Sequence, residues 1–178
     1  MSTKVFLEYI ATLELKKNNV LELGCGSGII SVFSASKGAK VTASDINKVA
    51  LNSLKKVSTE QNFDIDCIYS DLFNNIKKSF EYIFVNPPYY PRNPKNIEEK
   101  AWFCGTDFDF FERFFFQVAE LNLIKTNVFM ILSDACDFTR IRQIAKNNNI
   151  GLKIIKTTKT ITETNYINRI ENLEELVK

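Results

Sequence analysis

The sequence contains no histidine. That excludes the serine–histidine and cysteine–histidine nucleophile pairs, so any chemistry must run without imidazole. Its four cysteines, Cys25, Cys67, Cys104 and Cys136, form no CxxC pair. Without histidine to join them they offer no ordinary zinc site, and no metal is expected. Isolated thiols fit a reducing compartment. No apolar run reaches the roughly 20 residues that span a bilayer. Lys4, Glu8 and Glu14 interrupt the N-terminal stretch, which is therefore unlike a signal peptide. A cytoplasmic protein without membrane contact is expected. Net charge is only +2, so a broad basic face for duplex nucleic acid is not expected.

What is present is an alternation of strands and helices. A chain of 178 residues fits a single domain, expected over 1–178, with an N-terminal helix in 1–17 and an α/β core in 18–178. Periodicity and turn residues predict helices over 3–15, 29–37, 47–61, 107–123 and 138–146. The third of these should bury Val49, Ala50, Leu54 and Val57. Strands are predicted over 20–23, 40–44, 66–69, 80–85, 127–132, 152–160 and 165–170, the last two as an antiparallel pair. Such alternation implies a mainly parallel sheet with helices on both faces. Ligands of such sheets bind beyond the carboxyl ends of the strands. Functional residues should therefore follow strands one to four.

Strand one runs into Glu22-Leu23-Gly24-Cys25-Gly26-Ser27-Gly28. Glycines at this spacing allow a tight turn and a close approach of backbone to a ligand, and the next helix would present free N–H groups. The dinucleotide fingerprint needs G-x-G-x-x-G, but position 29 is isoleucine, and no P-loop Gly-Lys follows. A diphosphate cofactor is the weaker reading. Asp45 ends strand two, where a carboxylate can accept hydrogen bonds from two ribose hydroxyls. Asp71, after strand three, could accept from an adenine amino group, with Ile46 and Leu72 on either side of the ring. Each residue also has a plainer reading: the glycines as a turn, Asp45 and Asp71 as helix caps.

Asn86-Pro87-Pro88-Tyr89 follows strand four. Paired prolines stop the ladder and fix the backbone. The Asn86 side-chain oxygen and the Pro87 carbonyl can each accept a proton of one target NH2, while Tyr89 offers a face for stacking. Two acceptors on one nitrogen orient it and stabilise the positive charge that develops as it attacks. The plainer reading is a rigid turn.

Together these segments resemble class I S-adenosylmethionine-dependent methyltransferases that carry an NPPY motif. The resemblance runs over 20–132 and more loosely to 170. It implies a Rossmann-like sheet of seven strands with the last antiparallel. It also implies S-adenosylmethionine bound by Glu22, Gly24, Cys25, Gly26, Gly28, Asp45, Ile46, Asp71, Leu72 and Asn86, and a catalytic set of Asn86, Pro87 and Tyr89. Within the family, NPPY occurs in HemK-like enzymes that methylate a release-factor glutamine and in enzymes of adenine amino groups. Relatives acting on guanine N2 more often have phenylalanine at the tyrosine position. The stretch Ala101-Trp102-Phe103-Cys104-Gly105 is similar to a segment of the compact release-factor enzymes. The resemblance implies N-methylation of a protein glutamine, for which a release factor is the expected partner. The alternatives are methylation of an RNA or DNA base, and an inactive cofactor-binding subunit. Because HemK-like enzymes usually carry an N-terminal recognition domain, a partner subunit is expected to complete the substrate surface.

Two further features stand out. Residues 108–116 hold six phenylalanines, of which Phe110, Phe111, Phe114 and Phe115 share a face with Val118 and Leu121. Phe116 points away from that stripe and is expected to lie under a loop, the alternative being a contact with a partner. Arg92, Lys95 and Lys100 fall in one loop, where solvated charges are expected rather than a phosphate contact.

Overall fold

The computed structural model describes residues 2–173. In chain order the elements are α1 (Ser2–Ile10), β1 (Asn19–Leu23), α2 (Ile29–Ser36), β2 (Lys40–Asp45), α3 (Lys48–Glu60), β3 (Ile65–Tyr69) and β4 (Tyr82–Val85). After a 3-10 turn at Glu99–Ala101 come α4 (Asp109–Ala119), β5 (Asn127–Ser133), α5 (Phe138–Asn147), β6 (Ile150–Lys159) and β7 (Thr164–Asn172). The strands form a seven-stranded mixed sheet in the order β3-β2-β1-β4-β5-β7-β6. Contacts gather into two compact units, one over Thr3–Val85 and one from Asn86 onward.

In the first unit, β1 pairs in parallel with β2 and β4, and β2 pairs in parallel with β3. Val20, Leu21, Glu22 and Leu23 are buried in succession, as are Ile83, Phe84 and Val85. Continuous burial means that both faces of these strands are covered. Helix α1 buries Val5, Phe6 and Ile10, and the Phe6 ring meets Phe84 edge-on at 5.7 Å. The helix expected over 3–15 stops at Ile10. Thr12 turns its hydroxyl onto the Tyr9 carbonyl at 2.7 Å, which satisfies the helix end locally. Leu15 then enters the core on non-helical chain.

Helix α3 presents a different face from the expected one. Leu51, Leu54 and Ser58 are buried, whereas Val49 is 70% and Val57 40% exposed. The misleading residue is Ser58, whose hydroxyl donates to the Phe63 carbonyl and so enters the core despite its polarity.

In the second unit, β7 pairs antiparallel with both β5 and β6, with a bulge between Ile154 and Lys156. Helix α4 is shorter than the expected 107–123. Phe108 has a left-handed backbone, φ 62°, which sets the start after it. Phe111, Phe114, Phe115 and Val118 form its buried stripe, and Phe110 stacks half-buried on Phe114 at 5.9 Å. Leu121 falls beyond the helix. Phe116 is 65% exposed and lies under no loop, contrary to expectation, because it sits on the helix face opposite the stripe.

Phe115→Ala should therefore destabilise the protein by about 3–5 kcal/mol. Phe116→Ser should change stability by less than about 0.5 kcal/mol. Urea unfolding of the two variants checks this, and equal losses would contradict the assigned face.

Candidate active site

The glycine loop leaves β1 and enters α2 with positive φ at each glycine: 73° at Gly24, 49° at Gly26 and 72° at Gly28. The backbone N–H groups of Gly24 and Cys25 both donate to the Ser44 carbonyl at 2.9 Å, tying the loop to the end of β2. The three glycines then divide into two kinds. A Cβ added at Gly24 or Gly26 would meet nothing within 4 Å, so backbone there is open to a ligand. A Cβ at Gly28 would come within 2.5 Å of Leu54 Cδ1, so Gly28 lets the loop pack on α3. Cys25 is 4% exposed, and burial first, then the Glu22 and Asp45 carboxyls, push its thiol far above the usual range. It is an apolar spacer rather than a nucleophile.

Glu22 faces the core. The Ser31 N–H donates to its Oε2 at 2.8 Å, and the Ser31 hydroxyl meets the same oxygen. The start of α2 is therefore occupied by a side chain from β1, not left open as the sequence suggested. An anion-binding helix terminus, which a diphosphate would use, is closed in this way.

Asp45 is the last residue of β2, and its carboxylate is oriented by two backbone donors. Its Oδ2 accepts from the Gly26 N–H at 2.8 Å and its Oδ1 from the Asn47 N–H at 2.8 Å. The cap of α3 is Asn47, whose Oδ1 accepts from Val49 N–H at 2.9 Å, so the helix-cap reading of Asp45 does not hold. Ile46 beside it is half-buried. After β3, Ser70 donates through its hydroxyl to the Leu72 carbonyl at 2.7 Å. This holds Leu72 at φ 49°, a conformation that costs a branched residue about 1–3 kcal/mol. Asp71 is half-buried in the same turn. Asp45 ends β2 and Ile46 follows it, and Asp71 and Leu72 lie in the turn after β3, whereas Glu22 lies inside β1. With open backbone at Gly24 and Gly26 and an oriented carboxylate at Asp45, the unit suits a nucleoside ligand without phosphate.

In the second unit, Pro87 is buried, and Asn86, Pro88 and Tyr89 are half-buried. The Tyr89 side chain is hydrogen-bonded to the Ser133 side chain, and its ring lies 4.8 Å from that of Tyr90. Burial raises the Tyr89 phenol above its ordinary range, so it stays neutral near pH 7. Sequence reasoning missed Ser133. It is the polar residue that ends the apolar run of β5, and extending the strand-end rule to strand five would have found it.

The following loop is pinned rather than loose. Tyr90 N–H donates to the Trp102 carbonyl at 3.1 Å, and Cys104 N–H to the Tyr90 carbonyl at 3.0 Å. The Arg92 guanidinium lies over the Phe103 ring at 5.0 Å, so this cation is partly spent within the loop. Lys95 and Lys100 are exposed, and Trp102 is 63% exposed.

A family model described as "Methyltransferase small domain" matches residues 1–102. The chain belongs to that family, a domain of the S-adenosylmethionine-dependent class. It is 41% identical over 80 residues to a Methanocaldococcus jannaschii protein named "Putative protein N5-glutamine methyltransferase", covering 44% of this chain and 41% of that one. It is 36% identical over 90 residues to ribosomal RNA small subunit methyltransferase C of Actinobacillus pleuropneumoniae, covering 49% of this chain and 27% of that one. The chain thus matches less than half the length of these curated relatives. Among solved structures, the E. cuniculi Mtq2–Trm112 complex, responsible for methylation of the eRF1 termination factor, shares the fold at TM-score 0.69. It is 22% identical and covers 96% of this chain and 94% of that one. The T. thermophilus 16S rRNA N2 G1207 methyltransferase, solved with AdoMet and guanosine, aligns at TM-score 0.62 and 15% identity over 94% of this chain and 41% of that one. The architecture is the Rossmann-like α/β methyltransferase fold, with the antiparallel last strand that the resemblance implied.

Burial, the first cause, raises Glu22 from the ordinary 4.5 to about 8. The folded protein therefore keeps a proton that the unfolded chain releases. Stability should fall as pH rises from about 4.5 to about 8. Glu22→Gln should flatten that decline in urea unfolding series run at pH 5, 6, 7 and 8. Parallel curves for the two proteins would remove Glu22 as the cause.

Proposed function

We propose that this chain is an S-adenosylmethionine-dependent N-methyltransferase whose acceptor is the side-chain amide of a protein glutamine, in a translation release factor. The observation that carries the reading is the segment Asn86–Tyr89: a side-chain amide and a carbonyl on proline-fixed backbone, beside a neutral tyrosine anchored on Ser133. S-adenosylmethionine would supply an electrophilic methyl group on its sulfonium. Gly24 and Gly26 would border its amino-acid part, Asp45 its ribose hydroxyls, and Asp71, Ile46 and Leu72 its adenine. Asn86 and Pro87 would accept the two protons of the target NH2 and hold its nitrogen for in-line attack. Tyr89 would stack on the flat amide.

The M. jannaschii relative named for glutamine methylation, and the E. cuniculi neighbour similar over nearly the full length of both chains, support the protein acceptor. That neighbour works with a second subunit, and we extend the same expectation to this chain. The second reading is methylation of a base amino group in RNA. It is supported by the ribosomal RNA relative and by exposed Lys95, Lys100 and Trp102 on one loop. The retained Asn86 counts against a purely cofactor-binding subunit.

Tritiated S-adenosylmethionine added to a lysate lacking this enzyme tests the reading, with Asn86→Ala as control. Label should be lost to protease and persist through nuclease. Label lost to nuclease would replace glutamine by a base, and no label above the control would end both readings. Asp45→Ala should weaken cofactor binding by at least about 1.5 kcal/mol in calorimetry, and unchanged affinity would remove Asp45 from the site. Asn86→Ala should lower turnover at least about 100-fold with cofactor affinity retained. Full activity in that variant would overturn the mechanism.

A further inference from the structure

Strand β7 carries a polar residue in a place that packing alone does not explain. Asn165 is 0% exposed, and both its Nδ2 and its Oδ1 lack a hydrogen-bond partner. A buried donor or acceptor left unmade costs about 1–3 kcal/mol, and here one side chain leaves both. An apolar side chain of the same volume would avoid this, so the amide calls for another explanation.

Its position supplies one. Asn165 is the direct cross-strand partner of Ser133 in the β5–β7 ladder. Residues opposite each other in an antiparallel pair share a face, with Cβ atoms about 4.5–5.5 Å apart. Ser133 in turn is hydrogen-bonded to Tyr89. The chain beside Asn165 is also fixed. Asp134 N–H donates to the Thr164 carbonyl at 2.9 Å, and Thr164 N–H donates to Asp134 Oδ2 at 2.9 Å. Tyr166 is held edge-on against Phe138 at 5.0 Å. The unpartnered amide is thus held on a clamped strand end, one residue removed from the tyrosine of the acceptor segment.

We infer that Asn165 is a specificity-determining residue of the acceptor site, whose Nδ2 donates a hydrogen bond to the carbonyl oxygen of the target amide. The inference rests on the acceptor role proposed for residues 86–89. In that role Asn86 and Pro87 take both protons of the target NH2, and the amide's own oxygen is left needing a donor. Among the residues named around Tyr89, Asn165 holds an uncommitted N–H. A target lacking an acceptor beside its NH2 would leave Asn165 unpaired in the bound state and would be rejected for that reason.

Initial rates with purified eRF1 as methyl acceptor test this in wild type, Asn165→Leu and Asn165→Asp. Leucine removes the amide at similar volume, and aspartate keeps the shape but loses the donor. Both variants should raise the KM for eRF1 at least about tenfold, a loss of about 1.4 kcal/mol, with S-adenosylmethionine affinity unchanged. Asn165→Leu should keep or raise the melting temperature, since it deletes an unpaired buried amide. A folded Asn165→Leu protein with wild-type KM overturns the inference.

A wild-type protein that transfers no methyl group would instead count against the proposed function. A second readout then decides the matter for Asn165. The side-chain amide resonances of Asn165, assigned by their loss in Asn165→Asp, are followed by NMR during titration with N-acetylglutamine amide and, separately, guanosine. A shift with the glutamine amide supports the inference. Resonances unmoved by it, or moved by guanosine alone, overturn it.

Discussion

A buried carboxyl holds the turn on which the glycine loop depends. Glu22 reaches from β1 to the first turn of α2, where it accepts from Ser31. That bond closes the helix end and fixes how the chain crosses from strand to helix. Between its two ends lies the loop of Gly24, Gly26 and Gly28, whose backbone no other residue type adopts without strain. Asp45 then anchors the loop from the side through Gly26, while still presenting carboxylate lone pairs outward. Burying Glu22 is unfavourable for its charged form, and the cradle accepts that cost to gain a fixed geometry.

The segment after β4 reaches rigidity by covalent means. Two prolines after β4 remove backbone donors and fix φ, so Asn86 has little freedom of its own. Tyr89 is steadied through Ser133 at the end of β5, and Tyr90 is stitched to residues 102–104 by a short bridge. Gly105 closes this loop at φ 91°, where an added Cβ would lie 1.9 Å from Asp109 Oδ2. An otherwise irregular stretch thereby gains a defined shape without regular secondary structure.

Much of this was legible in the sequence because the signals are local. Glycine spacing, a carboxylate ending a strand and paired prolines each announce a backbone conformation within a few residues. What failed depends on partners distant in sequence. Val49 and Val57 look like core, but the face of α3 is set by Leu51, Leu54 and the carbonyl that receives Ser58. The span 3–15 keeps a helical pattern that Thr12 ends by bonding to its own helix. The glycines read alike in sequence, yet only contact with Leu54 reveals that Gly28 serves packing. Ser133 was within reach of the strand-end rule, but Asn165 was not: its meaning lies in the cross-strand pairing with Ser133, and a single strand does not announce its neighbour.

The absence of histidine ceases to be a puzzle once the chemistry is considered. A planar NH2 is a weak nucleophile, and removing its proton beforehand would require a strong base. None of the thiols fills that role: burial raises Cys25, Cys67, Cys104 and Cys136 and keeps them protonated. The phenol of Tyr89 is raised as well. On the proposed reading such a site would favour attack on the methyl group first, with the thioether of S-adenosylhomocysteine leaving, and proton loss to water afterwards, when the nitrogen has become acidic through its new bond. Its residues would then need only to hold the nitrogen by its two protons and stabilise the charge as it appears, which neutral acceptors can do. Rigid acceptors and a neutral stacking ring are what the proposed reaction asks of a protein, and on that reading the segment from Asn86 to Tyr89 would supply both.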